Sequence, residues 1–202
     1  LSTPELLAAF MATMQSSMSS RQITAAALRK LLQYCQASHL YYIRRNAAKD
    51  LVIDGSLAVG SIWSVLEAVK LSGAALFPLE PLNLCRTGLQ TIYVRSRKEL
   101  AEMEIGSPRN QFQRPIESAM VLPVIIQGKF NAAIYLTHHT APAAFDHVDD
   151  TTIRLVTTTL TAFLNNNTAK QRAIKSISNS SSVSLPSTRA LRDVRLQDSA
   201  FV

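Results

Sequence analysis

The sequence predicts a single α+β domain. Three stretches carry that prediction: two helical stripes within the first 36 residues, a β-hairpin from Ser118 to His139, and a helical stripe that ends near Leu164. In the hairpin, two apolar runs flank Gln127-Gly128-Lys129, where glycine supplies the positive φ that a tight turn needs. Met120, Leu122, Val124 and Ile126 point to one face, and Val121, Pro123 and Ile125 to the other. Both faces are apolar, so the hairpin should be central in its sheet and covered on both sides. Pro123 has no N–H, which marks a bulge or an edge facing away from the ladder.

From the N-terminus, Ser2-Thr-Pro-Glu5 reads as a helix start with Ser2 as cap, and Leu6, Leu7, Phe10, Met11, Met14 and Met18 recur at threes and fours over residues 4–18. A second helix is expected from Arg21 to Gln36, capped by Ser20, with Ile23, Ala27, Leu28, Leu31, Leu32 and Cys35 on one face. His39 to Arg44 and Leu51 to Asp54 form a first hairpin around the polar break at residues 46–50. Ile62, Val65, Leu66 and Val69 have helical spacing between Ser61 as cap and Gly73 as stop, with Trp63 at the rim of that stripe. Ala74 to Phe77 reads as a short strand. Over residues 80–117 the pattern is weakest: a strand at Gln90 to Val94, a short helix from Arg97 to Met103, then a polar loop from Gly106 to Pro115. Asp146 is the expected cap of the last helix, with Ile153, Val156, Leu160 and Phe163 on its stripe. Six threonines between residues 151 and 161 weaken that helix, so packing must hold it, and a strand over residues 155–163 is the rival reading.

A length of 202 residues with 47 % hydrophobic and 17 % charged residues suits one core with trimmings. The organisation expected is N-terminal helices at residues 1–38, a core at 39–167 that includes the last helix, and a basic, serine-rich tail at 168–202, disordered from residue 177. Leu1 in place of a methionine, and no signal-peptide pattern, suggest a cytoplasmic piece of a longer protein; no apolar run reaches membrane-span length. The net charge is +7, but residues 168–202 hold +4 of it and only +3 remains for the rest. That distribution argues against nucleic acid as the main partner and leaves polyanion contact by the tail as a minor reading. Cys35 and Cys85 fit no metal or redox spacing and read as buried structural thiols.

Residues 118–164 carry a recognisable order of motifs: Ser118-x-Met-Val-Leu-Pro-Val-Ile, Gln127-Gly-Lys, Ala133-Ile-Tyr-Leu136, Ala144-Phe145, and a helix ending near Leu164-Asn-Asn. This resembles the C-terminal half of a GAF domain, close to the version in large hybrid signalling proteins that join kinase-like, ATPase and histidine-kinase regions. Leu51 to Asp54 and Ser64 to Val69 resemble that family's second strand and third helix, whereas Pro81 to Ile116 matches poorly. The resemblance implies a central antiparallel sheet of five or six strands, N- and C-terminal helices packed together on one face, and a pocket under irregular segments on the other. It also implies that the Leu6, Phe10, Met14 and Ile153, Val156, Leu160 stripes pair in a homodimer, and that a fused effector domain receives the signal. The sequence departs from the family at Asn131-Ala-Ala133, at Thr137-His138 and in the Ser/Arg-rich downstream region.

No nucleophile elbow, P-loop, Rossmann fingerprint or zinc-protease helix occurs, so no catalytic residue and no metal ligand is assigned. His138 and His139 are adjacent and face opposite ways on a strand, so they cannot chelate together. Asp146, His147, Asp149 and Asp150 are better explained as a helix start than as a metal cluster. Cys85 is followed by Arg86, where the family's bilin-bearing cysteines commonly have histidine, and the cysteine pattern of its methionine sulfoxide reductases is not seen. The expected function is non-catalytic small-molecule or partner sensing, with a dimerisation module whose pocket is vestigial as the alternative. Tyr93, Arg95, Arg114, Glu117, Tyr135 and Thr137 are the candidate ligand-binding residues, placed in or beside the weakly matching segment and the adjoining strand. No cofactor is named by any motif.

Overall fold

The computed structural model describes residues 3–16, 18–46, 48–62, 64, 69–71, 77–103 and 115–180. Two helices, α1 (Thr3–Met14) and α2 (Ser20–Tyr34), precede a hairpin of β1 (His39–Arg45) and β2 (Leu51–Ala58). Then come β3 (Val69–Lys70), α3 (Glu80–Gly88), β4 (Ile92–Val94) and α4 (Arg97–Met103). The hairpin β5 (Ser118–Ile126) and β6 (Lys129–His138) leads to α5 (Asp150–Ser180). The strands form one six-stranded sheet in the order β3-β2-β1-β6-β5-β4, antiparallel at every pairing. The α+β architecture is as the sequence predicts, with one refinement. β1 docks beside β6, so the middle pair of the sheet is β1–β6 and β5 lies one strand from the edge.

Alternation along the strands sorts the core into two layers. Met120, Leu122 and Val124 join Ile134 and Leu136 on the face covered by Leu6 and Phe10 of α1, Leu28 and Leu31 of α2, and Ile153, Val156 and Leu160 of α5. Ala119, Val121, Ala133 and Tyr135 face the other way, against Phe77, Leu82 and Cys85 of the α3 region and Leu100 of α4. The terminal helices therefore share one face of the sheet. Leu6, Phe10, Ile153, Val156 and Leu160 are buried within their own chain and so do not form the dimer seam expected of them, and of the two stripes Met14 alone is partly exposed. What the helices leave exposed is Met11 at 48 % and Leu155 at 48 %.

The β5–β6 turn is Gln127-Gly128, with φ of 52° and 71°. Two positive φ values make the mirror-image turn whose twist matches a hairpin. A Cβ on Gly128 would meet nothing within 4 Å, so only the backbone conformation resists substitution. Gly128→Val is thus expected to destabilise the fold by about 1–2 kcal/mol through left-handed strain alone, measured by urea denaturation. Pro123 sits beside a register shift at Val124/Ile125, and β4 pairs only with Ala119 to Val121, so its missing N–H falls where β5 has one neighbour.

Several expectations are corrected. The cap of α2 is Ser19, not Ser20: Ser19 Oγ accepts the Gln22 N–H, and Gln22 Oε1 accepts the Ser19 N–H at 3.0 Å. α1 ends at Met14, leaving Met18 outside it. The helix expected over residues 61–71 is not seen at its described residues; Ser64 bridges Ser56, and Val69–Lys70 pairs with Val52 and Ile53 as an edge strand. Trp63, residues 74–76, the cap at Ser2 and most of the loop at 106–115 lie outside the described residues. α5 begins at Asp150 and is capped by Asp149, whose Oδ2 accepts the Thr152 N–H at 2.7 Å; Asp146 is engaged elsewhere. The helix continues to Ser180, so residues 177–180 are helical rather than disordered. By internal contacts the chain divides into units Leu1–Asn165 and Asn166–Val202.

Candidate functional site

On the face away from the terminal helices, the register of the middle strands sets Tyr41 opposite Tyr135 and His39 opposite Thr137. Strand alternation puts these side chains on one side of the sheet with Ala119 and Val121. Phe77 closes over them, its ring centroid 4.9 Å from Tyr41 and 4.3 Å from Tyr135. His39 stacks on Tyr41 at 6.2 Å and meets His139 edge-on at 4.9 Å. An aromatic wall thus runs into a pair of imidazoles at the end of the sheet where residue 115 enters β5.

The imidazole pair has a defined proton arrangement. His139 Nδ1 lies 2.7 Å from the Pro115 carbonyl oxygen, which can only accept, so that nitrogen carries a proton. His139 Nε2 then faces His39 Nδ1 at 3.0 Å and accepts its N–H when both rings are neutral. The backbone is pinned on both sides: the Ser38 N–H donates to the Thr137 carbonyl at 2.8 Å, and the His139 N–H donates to Ser38 Oγ at 3.3 Å.

Thr137 is fully buried, and its Oγ1 has no hydrogen-bond partner. A buried hydroxyl left in this state is destabilising by about 1–3 kcal/mol, which makes it the most informative atom of this face.

The predicted ligand-binding residues divide into groups. Tyr135 and Thr137 are brought together on this face. Glu117 is half-buried beside it, its N–H donating to the His138 carbonyl at 2.8 Å. Tyr93 instead packs against the helical layer and donates its hydroxyl to Asp150 Oδ1 at 2.5 Å; burial first, then this bond, raises its pKa above the usual range. Arg95 bonds through Nε to both carboxylate oxygens of Asp146, at 3.0 and 3.3 Å, tying β4 to the turn before α5. Arg114 lies outside the described residues. His39, Tyr41, Phe77 and His139 were missed. The one available signal was the period-two run His39, Tyr41, Ile43; its partnership with a histidine 100 residues away cannot be read from sequence.

Each acid of the 146–150 cluster has a structural task, as described for Asp146, Asp149 and Asp150, and among the described residues no three His, Cys, Asp or Glu groups gather. Hydrogen bonds from Thr152 hold the Asp149 carboxyl below its usual pKa. His138 faces away from the imidazole pair, and its Nδ1 accepts the Ala141 N–H at 3.0 Å, which requires that nitrogen to be unprotonated. Burial, and then the neighbouring charge of His139, lower its pKa below 6.5. A lowered folded-state pKa means the contribution is whole above the unfolded value and is lost as pH falls through the folded one. The melting temperature should therefore fall from about pH 7 to about pH 5, and His138→Asn should flatten that slope, as followed by circular dichroism.

A concavity of about 610 Å³ opens on the opposite, helical side between α2 and the end of β2, over Leu32, Ala37 and Leu57, with Arg29 the charged residue among its described lining. Among its described lining residues none carries a buried polar atom without a partner, so chemistry favours the other face.

No known family model matches the sequence, and no curated protein is similar to it. Solved structures are similar in fold. The GAF domain of an Acinetobacter phosphoenolpyruvate-protein phosphotransferase superposes with a TM-score of 0.60 at 11 % identity, over 84 % of this chain and 97 % of that one. The fold is that of a GAF domain. The A. aeolicus NLH2 GAF domain, in an inactive state, gives a TM-score of 0.58 at 11 % identity, over 82 % and 96 % of the two chains. The Staphylococcus aureus fRMsr, in complex with its substrate, gives 0.55 at 10 % identity, over 80 % and 95 %. The GAF fold thus occurs both in an enzyme and in domains of larger proteins, and the side chains of this chain must decide between those roles. No helix of the described residues is long and apolar enough to cross a membrane.

Proposed function

We propose that this chain is a non-catalytic, small-molecule-sensing GAF module of a larger cytoplasmic signalling protein, relaying occupancy through its terminal helices to a fused effector. The observation that carries this reading is Thr137: a fully buried hydroxyl without a partner, between an aromatic wall and two imidazoles, on the sheet face that the terminal helices leave free. Such a group lowers the stability of the empty protein and is satisfied when a ligand supplies its partner. The sheet then connects that face to α1, α2 and α5, whose side chains rest on the reverse sides of the same strands.

Thiol chemistry has little support. Cys35 lies in the helical layer and Cys85 in the other, so the sheet separates them, and burial raises the Cys35 pKa and pushes Cys85 up to about 12. The test is native mass spectrometry of gently purified protein with thermal shifts against cyclic nucleotides and small metabolites. A co-purifying molecule, or a stabilising shift that Thr137→Val abolishes, supports sensing. If a broad panel leaves the protein empty and unshifted, the pocket is vestigial. The second reading, a homodimerisation module, rests on the exposed Met11 and Leu155 of α1 and α5; a monomer in sedimentation at high concentration counts against it.

A further inference from the structure

We propose that His39 and His139 form a two-imidazole site for a divalent transition-metal ion, with Zn²⁺ as the expected occupant. The two facing nitrogens, His39 Nδ1 and His139 Nε2, are 3.0 Å apart. Two imidazoles on one tetrahedral zinc, each at about 2.0–2.1 Å, place their nitrogens roughly 3.3–3.4 Å apart. A separation increased by a few tenths of an ångström, with each ring tilted so that both lone pairs meet at one point, therefore replaces the shared N–H with a shared ion. One proton leaves His39 Nδ1 in the exchange, since the His139 nitrogen is already unprotonated in the neutral pair.

The surroundings have the features such a site requires. His139 donates its remaining N–H to the Pro115 carbonyl, the kind of outer partner that fixes a ligating imidazole's tautomer and orientation. Both residues stand at the ends of adjacent, paired strands in the middle of the sheet, held by the Ser38 contacts to Thr137 and His139, so the backbone is already positioned. Both rings are only half-buried, which leaves an entry path. Imidazole donors select zinc, copper or nickel over magnesium or calcium. Among the described residues no third His, Cys, Asp or Glu joins them. Two imidazoles alone hold such an ion with modest affinity, and water or an incoming ligand can take a further position through the half-exposed side. The adjacent pair His138/His139 cannot chelate, since the two face opposite sides of the strand; the fold supplies His39 in place of His138.

The experiment is calorimetric titration of chelator-stripped, full-length protein with Zn²⁺ alone at neutral pH, with folding of every variant checked by circular dichroism. One ion per chain is expected, with His39→Gln and His139→Gln each weakening binding at least tenfold and His138→Gln leaving it unchanged. Nitrogen-detected spectra of the wild-type rings provide a readout that does not depend on variants folding: Zn²⁺ should shift His39 Nδ1 and His139 Nε2 and leave His138 in place. No saturable binding, equal loss in His138→Gln, or shifts spread over all the histidines would overturn the proposal and leave a hydrogen-bonded imidazole pair only. Because Zn²⁺ is the sole probe, a negative result does not bear on small-molecule sensing by the neighbouring Thr137 face.

Discussion

Leu28→Ala is expected to lower the unfolding free energy by about 2–5 kcal/mol, with a shifted denaturant midpoint and an unchanged m-value. Leu28 is fully buried in the layer where α2 meets α1, α5 and the strands β1, β2, β5 and β6. Its removal leaves a cavity that close-packed neighbours on a rigid sheet refill poorly. Met11→Ala, at a position 48 % exposed on α1, should change stability by no more than about 0.5 kcal/mol. The contrast is a functional test as well as a structural one. If α1 and α2 were a separate dimer bundle, Leu28→Ala would loosen association and spare the core. Integration into the core makes a change on the far face of the sheet transmissible to the helices, because both layers are the two sides of the same strands. A near-neutral Leu28→Ala would remove that basis for signalling.

The parts of the fold legible in sequence are those set by neighbours in the chain. The Gln127-Gly128 turn, the α2 stripe from Ile23 to Cys35 and the short helix Arg97–Met103 all follow from local periodicity and turn chemistry. Val69–Lys70 show the limit: the helical spacing included Val69, but pairing with β2 makes it an edge strand. α3 falls in the segment of weakest pattern, where no helix was expected, although Pro81 suits a first helical turn because it lacks only an N–H that would be unbonded anyway. Among Asp146, Asp149 and Asp150 any could cap by composition; the choice of Asp149 depends on Arg95 and Tyr93 binding the other two across about fifty residues of chain. The site was half legible for the same reason. Tyr135 and Thr137 lie on the recognisable hairpin, whereas His39, Tyr41 and Phe77 join them only through β1–β6 pairing and the ring contacts of Phe77.

Two buried threonines give the sharpest test of how this protein uses its interior. Thr137→Val is expected to stabilise the ligand-free chain by about 1–3 kcal/mol, because valine nearly matches threonine in shape and removes a hydroxyl that has no partner. Thr152→Val is expected to do the opposite, because Thr152 Oγ1, 2 % exposed at the residue level, donates to Asp149 Oδ2 at 2.7 Å and completes the cap of α5. Residue type, burial and the substitution are the same in both; hydrogen bonding is opposite, and the preference of valine for strand over helix acts in the same direction. Stabilisation at 137 together with loss of any ligand-induced thermal shift would identify the hydroxyl as a binding group retained at the expense of stability, a pattern that recurs at functional sites. An unchanged or lower midpoint for Thr137→Val would mean that ordered water satisfies the hydroxyl in the empty protein, removing the main support for a ligand on that face.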